Sequence, residues 1–83
     1  SPVGIDAKNG ASSFHPHEAA IARAMVQQAH RTLLLADHSK LGLMSRTVYA
    51  PINEVDLLIC DSGPAKAGAL AALQQVLPQV QVV

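Results

Sequence analysis

Two apolar runs constrain this chain more than anything else in it. Thr32-Leu33-Leu34-Leu35-Ala36 lies between Arg31 and Asp37, and Val55-Asp56-Leu57-Leu58-Ile59-Cys60 ends at Asp61-Ser62. A run of this length without apolar–polar alternation fits a strand buried on both faces, as in a parallel sheet. Each run stops at an aspartate. Val3-Gly4-Ile5, a third strand candidate, also stops at one, Asp6. In open α/β sheets ligands bind beyond the carboxyl ends of the strands. The three aspartates therefore mark where a site is expected.

Helix-like stretches separate these runs. Asn9–His17 is rich in Gly, Ser, His and Pro and reads as a loop. Glu18–His30 consists mainly of helix formers, with Ile21, Met25 and Ala29 recurring at i, i+4 and i+8 as an apolar stripe. Pro16 and Glu18 near its start and His30 and Arg31 at its end suit the helix dipole. Thr47–Ala50 is a short strand candidate stopped by Pro51, and Pro51–Val55 fits one helical turn. Ser62-Gly63-Pro64 marks a second helix start, with Ala67, Leu70, Ala71, Leu73 and Leu77 facing one way and Pro78 closing it. Gln79–Val83 alternates polar and apolar and reads as a final strand. The order is β-α-β-β-α-β. It predicts an α/β fold with a mostly parallel sheet flanked by helices and right-handed crossovers.

Composition narrows the function classes. With 83 residues the chain is one small domain at most. Hydrophobic residues make up 49% and charged residues 14%, which is too apolar for a disordered segment. Six Lys and Arg balance six Asp and Glu without clustering, so no basic footprint for nucleic acid exists. Aromatic content of 2% leaves no base-stacking platform. No apolar run approaches the ~20 residues that span a bilayer, and no signal-peptide pattern opens the chain. The single cysteine, Cys60, excludes an internal disulfide, fits a reducing compartment and reads as a small buried hydrophobe. So much apolar surface in so short a chain implies an oligomer or a piece of something larger. The start at Ser1, without an initiator Met, favours a piece.

Three constellations carry candidate chemistry. Asp37-His38-Ser39-Lys40, followed by Leu41-Gly42, sets a carboxylate, a hydroxyl and an ammonium at a strand's carboxyl end. Lys40 can hold a phosphate as a point charge, helped by Ser39 and nearby N–H groups. The plainer alternative is a polar turn capped by Asp37. Gly4-Ile5-Asp6-Ala7-Lys8-Asn9-Gly10 with Glu18 offers two carboxylates for sugar hydroxyls or for acid–base work, and two glycines that permit unusual backbone angles. The alternative there is a loop aspartate and a glutamate at a helix start. His15 and His17 stand at i, i+2, a spacing that can ligate a metal, but no second His or Cys pair supports it. No metal is expected. No dinucleotide fingerprint, P-loop or nucleophile elbow is present.

These residues in this order resemble one family. Gly4-Ile5-Asp6, Asn9-Gly10, Phe14-His15-Pro16, Glu18-Ala19-Ala20, Arg23-Ala24-Met25, Leu35-Ala36-Asp37-His38-Ser39-Lys40, Gly42, Ala50-Pro51-Ile52, Val55-Asp56 and Cys60-Asp61-Ser62 look like the effector domain of DeoR-family transcriptional regulators. The resemblance implies a C-terminal domain that senses a phosphorylated sugar or related metabolite, and an N-terminal winged helix-turn-helix that binds operator DNA. That effector domain is similar to ribose-5-phosphate isomerase A and glucosamine-6-phosphate deaminase. The isomerase's Asp-x-Ser-Lys motif matches Asp37, Ser39 and Lys40; its catalytic glutamate matches Glu18; its acidic loop matches the region of Asp6. Val3 stands where many relatives have an acid or amide, which argues against isomerase chemistry.

The expectation is thus a non-enzymatic effector-sensing portion of a DeoR-type regulator of the repressor class, covering the C-terminal part of one effector domain over residues 1–83. The expected ligand contacts are Asp6, Gly10, Glu18, Asp37, Ser39 and Lys40, with no cofactor. The helix-turn-helix and the first half of the effector domain, which carries the family's Ser/Gly/Thr phosphate loop, are expected to lie outside this chain. The other expectations are a homo-oligomer, a cytoplasmic location, no membrane, and operator DNA bound only through the missing domain. The rival class is a fragment of a sugar-phosphate isomerase or deaminase.

Overall fold

A computed structural model describes residues 2–83. The two apolar runs do form parallel strands: β3 (Leu33–Ala36) pairs with β5 (Leu57–Cys60), and β5 pairs with β6 (Gln79–Val82). In this register Leu34, Leu58 and Val80 share one face with Ala36 and Cys60. That face meets the core, where Leu58 is fully buried.

The rest of the strand content is antiparallel, which corrects the expectation of a mostly parallel sheet. β1 (Gly4–Asp6), β2 (Gly10–Ser13) and β4 (Thr47–Pro51) form a separate antiparallel sheet in the order β1-β2-β4. The central strand, β2, falls inside the segment read as a loop. Gly-Ala-Ser-Ser carries neither β-branched residues nor alternation, so local propensity does not announce a strand. Two flanking strands supply its hydrogen bonds instead. Gly10 starts it at φ +111°, and a Cβ there would lie 2.1 Å from the Ala50 carbonyl oxygen, so only glycine fits. Buried Ser12 is satisfied by donating its hydroxyl to Gly4 O (3.4 Å) and accepting from Ser45 N–H (2.8 Å). The two sheets join at a parallel bridge between Ile5 and Leu41, where Gly42 N–H donates to Ile5 O (2.8 Å).

Helix α1 (Pro16–Gln28) begins with Pro16 in its first turn. It lies on the antiparallel sheet through Ala19, Ala22 and Val26. The Ile21–Met25 stripe faces outward instead, with Ile21 and Met25 about two-thirds exposed. Small alanines allow close approach to β2 and β4. Arg23 then fixes the helix rotation by donating to Tyr49 O (3.2 Å) and pairing with Glu54 (3.0 Å). Helix α2 (Ala69–Val76) starts five residues later than the Pro64 signal implies. Gly68, at φ +79°, interrupts any earlier helical turn. Its inner face is Ala69, Leu73 and Leu77, with Leu70 half-buried, while Ala67 and Ala71 are exposed.

The parallel sheet departs from expectation in a second way: one of its faces is bare along β3, although Leu57 beside it on β5 is buried. Leu33 is 51% and Leu35 55% exposed, and no described residue covers them. The leucine run is half-buried rather than buried on both faces. No helix among the described residues is long and apolar enough to cross a membrane.

Candidate functional site

The site grows from the end of β3. Beyond Ala36 the chain turns through one 3-10 turn, His38–Lys40. Asp37 stays extended and caps that turn. Its carboxylate accepts from Ser39 N–H (2.8 Å) and from the Ser39 hydroxyl in a very short bond. The Ser39 hydroxyl, then the Ser39 N–H, hold the Asp37 carboxyl below its ordinary value, and the nearby Lys40 and His38 charges add to this. Lys40 N–H donates back to Asp37 O (3.0 Å). Asp37 is thus the cap of its own turn, as the plainer reading of the sequence has it.

The neighbouring strand end supplies a second aspartate. Register pairs Ala36 with Cys60, so Asp37 and Asp61 follow at the same level. Asp61 accepts from His38 N–H (2.5 Å), His38 Nδ1 (2.8 Å) and Gly63 N–H (3.3 Å). The His38 ring bond, more than the two N–H bonds, lowers the Asp61 carboxyl. Burial, and then the Asp61 charge, push the Cys60 thiol up, which suits an inert buried cysteine.

Asp37, Lys40 and Asp61 rim a trough of about 640 Å³. Its floor is the bare sheet face, Leu33, Leu35 and Ile59 among it. Lys40 is half-buried, and its ammonium has no carboxylate partner among the described residues; the ion pairs there are Arg23–Glu54 and His38–Asp61. An apolar floor with one unneutralised cation and two carboxylates at its rim can take a small polar anion bearing hydroxyls.

The other expected contacts scatter. Asp6 lines a second cleft with Lys8, Gly42 and Lys66. Its carboxylate is turned into its own hairpin, accepting from Lys8 N–H (3.0 Å), Asn9 N–H (2.5 Å) and Asn9 Nδ2 (3.2 Å). Burial pushes that carboxyl up, but the Asn9, Lys8 and Gly10 bonds outweigh it and hold it low. Gly10 sits in the strand pairing described above. Glu18 is exposed in the first turn of α1 and rims neither concavity. The structure therefore groups Asp37, Ser39 and Lys40 on one turn, brings Asp6 near them only through the Ile5–Leu41 bridge, and leaves Glu18 and Gly10 apart. His38 and Asp61 were outside the expected contact set. The signal for them was present: two paired strands that each end in Asp place those aspartates side by side.

Sequence comparison bears on the same segment. The family model of the DeoR C-terminal sensor domain matches residues 1–62. The chain is 46% identical over 65 residues to the HTH-type transcriptional repressor GlcR of Bacillus subtilis, covering 78% of this chain and 25% of that protein. It is 42% identical over 48 residues to the transcriptional repressor AccR of Agrobacterium fabrum, covering 58% and 19%. It is 31% identical over 61 residues to the glycerol-3-phosphate regulon repressor of Escherichia coli, covering 74% and 24%. The chain thus spans about a quarter or less of the length of these curated relatives. No solved structure matches it.

Proposed function

Because the chain belongs to the DeoR C-terminal sensor domain family, we propose that it is the effector-sensing part of a DeoR-type transcriptional repressor that responds to a phosphorylated sugar or related metabolite. The observation that carries this reading is Lys40: a half-buried ammonium without a carboxylate partner among the described residues, at the carboxyl end of a parallel strand, on a turn capped by Asp37. With no net charge on the chain, no general positive field attracts an anion, so a single placed cation has to. One relative is named a glycerol-3-phosphate regulon repressor, which supports a phosphorylated small molecule.

In this reading the chain is the C-terminal part of a larger effector domain. The bare face of Leu33 and Leu35 supports that, since all-parallel sheets are ordinarily covered on both faces. Operator DNA is bound by a separate N-terminal domain, and the regulator acts as a homo-oligomer. The effector shifts operator affinity by its differential affinity for two conformations. The enzyme alternative is less well supported. Val3 offers no acid, and Glu18, the counterpart of the isomerase's catalytic glutamate, points to no concavity shared with Lys40.

Thermal melting of the intact regulator against a panel of phosphorylated sugars and polyols tests the reading. A ligand at 100 times its dissociation constant adds about 2.7 kcal/mol of stability. In calorimetry Lys40→Ala weakens that ligand by about 1.5–3 kcal/mol, the scale of a charge-assisted hydrogen bond, and leaves effector-free operator affinity near the parent's. Equal effector affinity in parent and Lys40→Ala refutes the anchor.

A further inference from the structure

The Lys40 turn is held by something outside itself. Within the turn, Asp37 ties to Ser39 and, through its carbonyl oxygen, to Lys40 N–H; Leu41 and Gly42 then hold the end of the turn against Ile5, but none of these bonds ties its start, at His38, to the neighbouring strand end. That tie comes from β5. Asp61 receives both the main-chain N–H and the ring nitrogen of His38, the residue between Asp37 and Ser39, so one carboxylate clamps the turn at two points. Its third donor is Gly63 N–H, which closes the loop leaving β5 around the same carboxylate. The His38 ring then fills the space over Gly63. A Cβ on Gly63 would lie 2.2 Å from Nδ1 and 2.5 Å from Cε1 of that ring, so the absence of a side chain at residue 63 is what admits it. Three features, Asp61, the small residue at 63 and His38 on the neighbouring strand end, thus act on one object.

We propose that His38, Asp61 and Gly63 form a positioning clamp that sets the anion affinity of Lys40 by fixing the direction in which its turn leaves β3. The clamp acts on Lys40 through the turn: Asp61 also rims the trough, but its two oxygens are taken by His38 and Gly63. It rests on the anion-site reading of Lys40 and says what that reading requires of the next strand. Geometry rather than charge is the operative property. An asparagine at 61 still accepts from His38 N–H with its Oδ1 and meets the ring with its Nδ2, given the other imidazole tautomer, and gives up only the long Gly63 N–H bond. An alanine does neither.

The test is titration of the 83-residue chain with inorganic phosphate, followed by NMR at the Ser39 and Lys40 amides, with melting recorded for every variant. Asp61→Ala and Gly63→Ala are expected to weaken phosphate about tenfold, equivalent to about 1.4 kcal/mol. Asp61→Asn is expected to stay within about twofold of the parent; loss of the carboxylate charge by itself would strengthen phosphate binding in both variants, so weakening confined to Asp61→Ala reads the lost hydrogen bonds. Gly63→Ala reaches the ring without removing any donor or acceptor, and so serves if Asp61→Ala fails to fold. Parent-like phosphate binding in a folded Gly63→Ala chain, with binding lost in Lys40→Ala, overturns the clamp and leaves the anion site standing. Weakening by Asp61→Asn equal to that by Asp61→Ala also overturns it, since the amide keeps an acceptor for His38 N–H. Parent-like binding in Lys40→Ala removes the anion site itself, and the clamp with it.

Discussion

The central strand of the antiparallel sheet and the edge strand of the parallel sheet invert the usual relation between composition and burial. β2 is Gly-Ala-Ser-Ser and is buried at all four positions. β3 is Leu-Leu-Leu-Ala and is buried at only two. Serine hydroxyls survive burial in β2 because Ser12 has a donor and an acceptor in place, and because α1 lies over that sheet. Leucines stay exposed in β3 because no described element lies on their face. Burial here is decided by what a neighbouring layer covers, and side-chain chemistry decides only what that costs.

The largest expected effect tests the covered side of β3's partner. Leu58→Ala, at a fully buried position on β5, should cost about 2–5 kcal/mol in urea denaturation, because the site cannot fully collapse around the lost atoms. A loss under 1 kcal/mol would mean that the shared core is loosely packed.

Ser12→Ala comes next. It strands Ser45 N–H without its acceptor, and a loss of about 1–3 kcal/mol is expected. If the variant is as stable as the parent, the polar centre of β2 is not what holds the hairpin to the segment before β4.

Leu35→Gln on the bare face should change stability by less than about 0.5 kcal/mol, as for a surface substitution. The same variant should reduce self-association of the 83-residue chain, which a contiguous apolar face favours. Sedimentation velocity at high micromolar concentration reads this. A compact parent monomer there, or a Leu35→Gln loss comparable to that of Leu58→Ala, breaks the contrast between the two faces.

The smallest effect is acidic. Asp37 and Asp61 titrate below the ordinary 3.8 in the folded chain, through the Ser39 and His38 bonds respectively. A lowered folded value means that the stabilisation is complete above the unfolded value and is lost as pH falls through the folded one. The loss therefore lies below about pH 4, and both groups are exposed enough to keep it small. Melting temperature followed from pH 6 to pH 2 should fall less steeply in Asp37→Asn and Asp61→Asn than in the parent. Identical acid limbs would assign the acid sensitivity to other carboxylates.

Much of this was legible along the chain, and the reasons are local. The strand character of the two apolar runs, the strand from Thr47, the turn after Pro51, the helix after Pro16 and the capping role of Asp37 all follow from interactions within a few residues. So does the family, which short motifs carry: Ala36-Asp37-His38-Ser39-Lys40 and Cys60-Asp61-Ser62 keep their spacing whatever surrounds them. What could not be read was anything that needs a partner distant in sequence. β2 is a strand because Gly4–Asp6 and Thr47–Pro51 flank it, and α1 turns Ile21 outward because Arg23 reaches Tyr49 and Glu54. Leu33 and Leu35 are bare because no described layer meets them. Asp61 becomes part of the Lys40 turn only because register sets Cys60 opposite Ala36. Sequence alone determined most of the elements, the Asp37 cap and the family, since hydrogen bonds and rotamer preferences over one or two turns decide those; it missed β2, the late start of α2 and the end of α1 at Gln28, which leaves His30 and Arg31 outside that helix. Tertiary structure decided burial, sheet membership and which carboxylate holds which turn, because each is a contact between segments whose separation along the chain carries no local signal.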